Sequence, residues 1–382
     1  MAMDNEENFW RILISQCRQE AMQKETGGTE NSAIVRLANF LLLQAIKQRA
    51  SDLHMEPYGE ELRFRLRVDG LLTELPFRLP GSLAPMLISR FKVQGNMDIA
   101  KHQQPQDGSF IFAEQGHKVD VRVAVMPVAG GEMLTLRLLD LQEDLLRLGE
   151  LGFTPDKETQ FRKLLNRPAG LIIVCGPMNS GKSTTLYAAL RELNTAARKW
   201  ITLEDPIERH IQGINQVQIN PKAGLTYASG LRAILRQDAQ GILLGEIRDE
   251  ETAMMAVRMA LTGHLLLTTL HTENAVAAVF RMLEMGVPPY LLAATLSGVL
   301  AQRLVRRCVD AEQEIYRGRL ALQELLVVDP SIREAILTGQ SREKLEGIAI
   351  KQGMESLWTD GEAKAAAGLT TLAEVGRVLY GS

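Results

Sequence analysis

Residues Leu171–Thr185 read LIIVCGPMNSGKSTT. Leu171–Val174 is a short apolar run rich in β-branched residues and reads as a buried strand. Gly176, Pro177, Met178, Asn179, Ser180, Gly181, Lys182, Ser183 and Thr184 follow, with two glycines and a Gly-Lys-Ser at the spacing of a P-loop. Ser183–Asn194 (STTLYAALRELN) reads as the helix that such a loop opens. Glycines let the backbone turn tightly, so that successive N–H groups face phosphate oxygens at a helix N-terminus. Lys182 is then placed for the β- and γ-phosphates of ATP, and the Ser183 hydroxyl for Mg²⁺. Asn179 stands where a third glycine often does. Asn tolerates positive φ better than most side chains, so the loop should keep its shape.

The other strand candidates of this region are Trp200–Leu203, Gly241–Leu244 and Leu265–Leu270, separated by helical segments. That alternation predicts a parallel sheet. Leu203 runs into Glu204-Asp205-Pro206, Leu244 into Gly245-Glu246 and Leu270 into His271. Ligands of open α/β sheets bind at the carboxyl ends of the strands, so a nucleotide on the P-loop should meet these groups.

Upstream, Leu62–Gly70 (LRFRLRVDG) alternates apolar residues with Arg63, Arg65 and Arg67, as a half-buried strand does. Gln104–Gly108 (QPQDG) reads as a turn. Val119–Val125 and Leu134–Leu138 alternate likewise, which puts Arg122 and Arg137 on the polar faces of paired strands. Asn31 or Ser32 can cap a helix carrying Ile34, Leu37, Leu41 and Ala45. Residues 31–140 thus read as a small α+β domain, with 1–30 a leader and 141–155 a linker. From Cys308 onward, residues 308–382 read as helical, and Thr371 and Glu374 have capping-box spacing.

The 382 residues carry 43 Lys plus Arg against 46 Asp plus Glu, a net charge of −3. This balance gives no electrostatic case for nucleic acid as a partner. Cys17, Cys175 and Cys308 are too scattered for a disulfide framework or a metal cluster, so no zinc is expected. No apolar run is long enough to span a membrane, and the acidic N-terminus lacks the features of a signal peptide. These features predict a cytoplasmic protein.

ASDLHMEP (50–57), RVDG (67–70), PQDG (105–108), GPMNSGKSTTLY (176–187) and LEDPIE (203–208) occur in that order. LRAILRQD (231–238), GEIRD (245–249), TGHLLLTTLHTENA (262–275) and AQRLVRR (301–307) follow. Together they resemble the secretion ATPase family of type II secretion and type IV pilus assembly (GspE/PilB-like). The resemblance implies a PAS-like domain at 31–140, a RecA-like P-loop core at 156–307 and a helical tail. It also implies a cytoplasmic homo-hexamer that docks on a polytopic inner-membrane platform protein and drives assembly of a pilin-like fibre. Glu204 would be a catalytic carboxylate, and Glu246 would end an atypical Walker B strand and hold Mg²⁺ through water. His264 and His271 would lie near the γ-phosphate, and Arg122, Arg137, Arg232, Arg236 and Arg319 would approach the nucleotide or the next subunit.

Three features depart from the pattern. Cys308 stands alone where many members carry a four-cysteine zinc module. Asp238-Ala239-Gln240 replaces a DPD triplet. The short stretch before the first helix leaves a partner-binding N-terminal domain absent or minimal. A small-molecule kinase and a nucleic-acid translocase are the competing classes for a P-loop chain. Phosphate release without an acceptor separates the motor from the kinase, and stimulation by DNA would mark the translocase.

Overall fold

The computed structural model describes residues 2–22, 32–140, 145–310, 313 and 315–381. It divides into two compact units, Met1–Glu143 and Asp144–Ser382.

The first unit contains α1 (Ala2–Met22), α2 (Ala33–Lys47), β1 (Ala50–Tyr58), β2 (Glu61–Val68), β3 (Leu71–Pro80), α3 (Ala84–Gln94), β4 (Gln106–Glu114), β5 (His117–Val128) and β6 (Gly131–Asp140). The strands form one antiparallel sheet in the order β3-β2-β1-β6-β5-β4. Their alternation sends Leu53, Phe64, Val121 and Leu136 into a core shared with Leu37 and Leu41 of α2. The opposite face is polar. Glu56 accepts from Arg63 (3.0 Å) and Arg65 (2.8 Å), and Asp52 accepts from Arg137 (3.2 Å), so acids on β1 offset the basic stripe of β2 and its neighbours.

Two expectations for this unit are corrected. Residues 2–22 of the supposed leader are a helix, and residues 23–31 lie outside the described residues. Trp10, Leu13 and Cys17 are buried in the core, with Trp10 stacked on Phe77 at 4.2 Å between ring centroids. The Glu20 carboxylate of α1 accepts the Ala33 N–H (2.9 Å), so α1 caps α2 from outside while Ser32 holds the N-cap position. In QPQDG, residues 106–108 are already paired within β4. A Cβ on Gly108 would sit 2.2 Å from the Gly95 carbonyl oxygen. The glycine serves a close backbone approach within a strand, not a turn.

The second unit contains α4 (Pro155–Leu165), β7 (Gly170–Cys175), α5 (Lys182–Leu193), β8 (Trp200–Glu204), β9 (Asn215–Gln218), α6 (Tyr227–Ile234), β10 (Gly241–Leu244), α7 (Glu250–Leu261), β11 (Leu265–Leu270), α8 (Ala275–Glu284), α9 (Pro289–Thr295), β12 (Leu296–Asp310), β13 (Ile315–Val327), α10 (Pro330–Leu337), α11 (Arg342–Lys351), α12 (Leu357–Ala366) and α13 (Leu372–Tyr380). Its sheet runs β13-β12-β7-β11-β10-β8-β9, parallel except for β12 with β13. Both faces are covered. Along β7, Leu171, Ile173 and Cys175 enter one core while Ile172 and Val174 enter the other. This double burial is why the strand reads as an unbroken apolar run. Among the described residues, no helix is long and apolar enough to cross a membrane.

The segment from Cys308, expected to be helical, begins as strand, and helices take over only from Pro330. Its alternation of charged and apolar residues has period 2, and Ala321–Leu326 are buried on both faces of β13. Within the linker range, Leu148 and Leu151 pack into a core of the second unit, and residues 141–144 lie outside the described residues.

Half of the expected capping box at α13 forms: Thr371 Oγ1 accepts the Glu374 N–H at 3.1 Å. The Glu374 carboxylate turns instead to Arg377 (2.6 and 2.7 Å) and to Arg306 of β12 (2.8 Å). Burial alone would raise its pKa. The hydrogen bonds from Arg377 and Arg306 win and hold it at about 2, against 4.5 for a free Glu. A depressed carboxylate stabilises the fold fully above the unfolded pKa and loses that contribution as pH falls through the folded one. Urea unfolding measured between pH 4.5 and 2 should therefore show stability falling through this window. Glu374→Gln should flatten that part of the profile. An unchanged slope in the variant would remove Glu374 from the account.

Candidate functional site

The carboxyl ends of β7, β8, β10 and β11 lie along one edge of the parallel sheet. β7 delivers the loop Gly176–Gly181, and α5 begins at Lys182. Gly176 takes φ +152°, Asn179 φ +61° and Gly181 φ +85°, so all three positive-φ positions of the loop fall on residues that tolerate them. A loop of this kind leading into the N-terminus of α5 is suited to hold an anion. Lys182 is buried, at 8% exposure, and its ammonium donates to the Gly176 (3.0 Å) and Pro177 (2.7 Å) carbonyls. Burial lowers its pKa, while the nearby charge of Glu246 acts the other way.

Glu246 lies two residues past the end of β10. It pairs with Arg248 and stands 3.6 Å from Nε2 of His271, the residue after β11. Burial lowers the His271 pKa, helped by the charges of Lys182 and Arg248 and opposed by Glu246. Its imidazole is accordingly neutral at pH 7, with one ring nitrogen able to donate and the other to accept a hydrogen bond. Lys182, Glu246, Arg248 and His271 thus form one electrostatic cluster beside the loop.

Glu204, the last residue of β8, is 5% exposed. Oε2 accepts from the Tyr187 hydroxyl, and Oε1 accepts from Thr202 Oγ1 (2.5 Å) and Gln216 Nε2 (3.1 Å). A carboxylate offers about four acceptor directions, so three donors leave one for a water. Tyr187 sits on α5, and its hydroxyl also accepts the Glu208 N–H (3.2 Å). Burial and the Glu204 charge push the Tyr187 pKa well above its usual value, so the phenol stays protonated and donates.

His264 departs from expectation. It precedes β11, and its carbonyl accepts the Gly170 N–H at the start of β7. Its Nδ1 lies 3.1 Å from the Met259 carbonyl oxygen. Six strand residues at ~3.3 Å each separate the two ends of β11, so His264 lies about 20 Å from His271 and the loop. Its described contacts are local, at the turn after α7.

The arginines scatter. Arg122 and Arg137 are register partners on β5 and β6 of the first unit. Arg232 of α6 pairs with Glu251, and Arg236 donates to the Arg232 carbonyl (3.1 Å). Arg319 on β13 is exposed and faces Arg306 in register.

Tyr187, Arg248 and Gln302 belong to the site but carry no individual role in the sequence reading. Tyr187 and Gln302 lie inside quoted motifs, GPMNSGKSTTLY and AQRLVRR. Their partners, Glu204 and Ser180, come from other elements, and no local spacing encodes such pairs.

The chain matches the family model described as type II/IV secretion system protein over residues 28–377. It is 44% identical to the type II secretion system protein E of Dickeya dadantii over 385 aligned positions, covering 92% of this chain and 76% of that protein. To the type II secretion system protein E of Xanthomonas campestris pv. campestris it is 42% identical over 381 positions, covering 90% of this chain and 67% of the other. Among solved structures it resembles the Legionella pneumophila ATPase DotB, with a TM-score of 0.72 at 25% identity, covering 91% of this chain and 96% of that one. It also resembles the pilus retraction motor PilT bound to ADP, with a TM-score of 0.63 at 27% identity, covering 87% and 94%. The second unit is accordingly a RecA-like P-loop ATPase core.

Proposed function

The chain belongs to the type II/IV secretion system protein family, and from that premise we propose that it is a motor that hydrolyses ATP to ADP and phosphate to power type II secretion or type IV pilus assembly. The observation that carries the reading is the convergence of Lys182, Glu246 and His271 beside the P-loop, with Glu204 fixed at the end of β8. The motor works as a cytoplasmic homo-hexamer held at the inner membrane by a polytopic platform protein. Arg122 and Arg137 of the first unit supply positive charge to a bound nucleotide in the assembled ring, in the manner of arginine fingers. Arg232, Arg236 and Arg319 are assigned to contacts with the nucleotide or between subunits.

The residues present fit Mg²⁺–ATP. The Ser180 hydroxyl is buried without a hydrogen-bond partner among the described residues and can serve a phosphate oxygen. The Ser183 hydroxyl and the Glu246 carboxylate are hard oxygen donors of the kind Mg²⁺ takes together with substrate phosphates. When bound, the metal supplies positive charge at the phosphate oxygens. Lys182 leaves its two carbonyl partners to hold the β- and γ-phosphates. Glu204, anchored through three donors, turns its remaining acceptor direction to the attacking water and takes its proton. Neutral His271 donates or accepts a hydrogen bond near the γ-phosphate.

Phosphate release with no acceptor present tests the reading. Glu204→Gln keeps the shape and removes the base, so turnover should fall by at least ~100-fold while Mg²⁺–nucleotide binding persists. Glu246→Gln should lower the rate and also shift the Mg²⁺ requirement. A Glu204→Gln protein that turned over like wild type would remove Glu204 from the chemistry. Loss of metal dependence in that variant alone would exchange the two roles.

A further inference from the structure

We propose that Gln302, on β12, is a positioning residue that sets the P-loop in its phosphate-binding conformation before nucleotide arrives. Gln302 is 2% exposed. Its Nε2 donates to the Ser180 carbonyl inside the loop (2.8 Å), and its Oε1 accepts from the Thr185 hydroxyl on the first turn of α5 (2.8 Å). One amide therefore clamps the loop to the helix that follows it, and both its polar ends are engaged. Thr185 is fully buried, so its hydroxyl has no solvent to fall back on.

The backbone around Gln302 shapes the loop as well. β12 runs parallel to β7 with Ala301 beside Cys175, which brings Gln302 alongside Gly176. A Cβ on Gly176 would lie 2.4 Å from the Gln302 carbonyl oxygen, and one on Gly181 would lie 2.7 Å from Gln302 Nε2. Both loop glycines are thus required by this one strand residue, in addition to their positive φ. The Ser180 carbonyl is engaged by Gln302 Nε2, so this oxygen is already satisfied within the protein before an anion binds. A cradle fixed in advance binds its ligand without a further ordering cost.

The inference rests on the reading of the loop as a nucleotide site, and titration of the whole protein with Mg²⁺–ADP separates the two. Gln302→Met keeps the length of the side chain and removes both hydrogen bonds. Gln302→Glu keeps the acceptor for Thr185 but puts a carboxylate oxygen against the Ser180 carbonyl. Each should weaken ADP binding by ~10-fold or more, the scale of one or two buried hydrogen bonds, with Glu worse than Met. The nucleotide-free melting temperature of Gln302→Met should also fall, because the buried Thr185 hydroxyl loses its acceptor, whereas a residue that only packs would lower melting and leave ADP affinity unchanged. Thr185→Val, which removes the other end of the clamp, should lose affinity in the same direction by a smaller factor. It also decides the matter if a Gln302 variant does not fold. Wild-type affinity in the folded variants would overturn the inference. A wild-type protein that bound no ADP would instead overturn the site reading, and the inference with it.

Discussion

Lys182→Ala should lower ATP turnover by at least ~100-fold, the scale set by losing one preorganised donor to a developing charge. Nucleotide affinity should fall with it, and the fold should survive. Lys182 opens α5, and its ammonium rests on two loop carbonyls at 3.0 and 2.7 Å. Pro177 is exposed, so its carbonyl can take water instead once the side chain is shortened. The stem fills little of either core, so melting should change modestly. The functional loss is larger because the neighbouring cations are already engaged: Arg303 donates to the Gln302 and Glu273 carbonyls. Arg248 is bound to Glu246, and the His271 imidazole is held neutral. Phosphate release and melting with and without Mg²⁺–ADP are the measurements. A wild-type rate in the variant would show that the loop is not the catalytic phosphate site.

The second large effect is on stability. Asp360 on α12 is fully buried. Its Oδ1 accepts from Lys157 of α4 (2.6 Å), and its Oδ2 accepts from Lys364 (2.5 Å) and from the Gln323 N–H of β13 (2.9 Å). The two ammoniums also reach carbonyls of β13, Gln323 at 2.9 Å for Lys157 and Ala321 at 2.6 Å for Lys364. Lys157 also pairs with a second acid, the half-exposed Glu355 at 3.0 Å. Asp360→Ala leaves Lys364 buried without a counter-charge and leaves the Gln323 N–H without a partner. Breaking a buried pair in this way costs about 3–5 kcal/mol. At ~2–4 °C per kcal/mol for a unit of this size, the melting temperature should drop by roughly 6–20 °C. Replacing all three of Lys157, Asp360 and Lys364 by apolar residues of similar volume should recover most of the loss, because no charge is then stranded. An Asp360→Ala protein that melted with wild type would mean that this cluster does not anchor α12.

Much of the site was legible before any coordinates. The glycine spacing around Lys182 and the apolar run before it fixed the loop, and the strand ends at Glu204, Glu246 and His271 followed from strand–helix alternation. These signals are local. A P-loop needs glycine where φ is positive or backbones approach, and a strand covered on both faces needs continuous apolar residues. His264 was misplaced because a motif lists residues along a strand without saying that its two ends point to opposite edges of the sheet. β13 was missed because an alternation of period 2 on a charged background was read as helical. α1 is hard to see in the sequence because, among its described residues, Trp10, Leu13 and Cys17 are the buried ones in a largely polar segment.

The sequence alone determined the strand that leads into the anion cradle, the helix that leaves it, and the cations and carboxylates available to chemistry. Those choices are written in the conformational limits of glycine and in side-chain periodicity, which act over a few residues. Tertiary structure alone decided which strand lies beside β7. That choice brought Gln302 to Ser180 and Thr185 across 122 and 117 residues of chain. It also set Tyr187 and Gln216 on Glu204, and locked Lys157 to Asp360 across 203 residues. Such contacts depend on sheet order and on the burial of both partners, and no spacing along the chain carries that information.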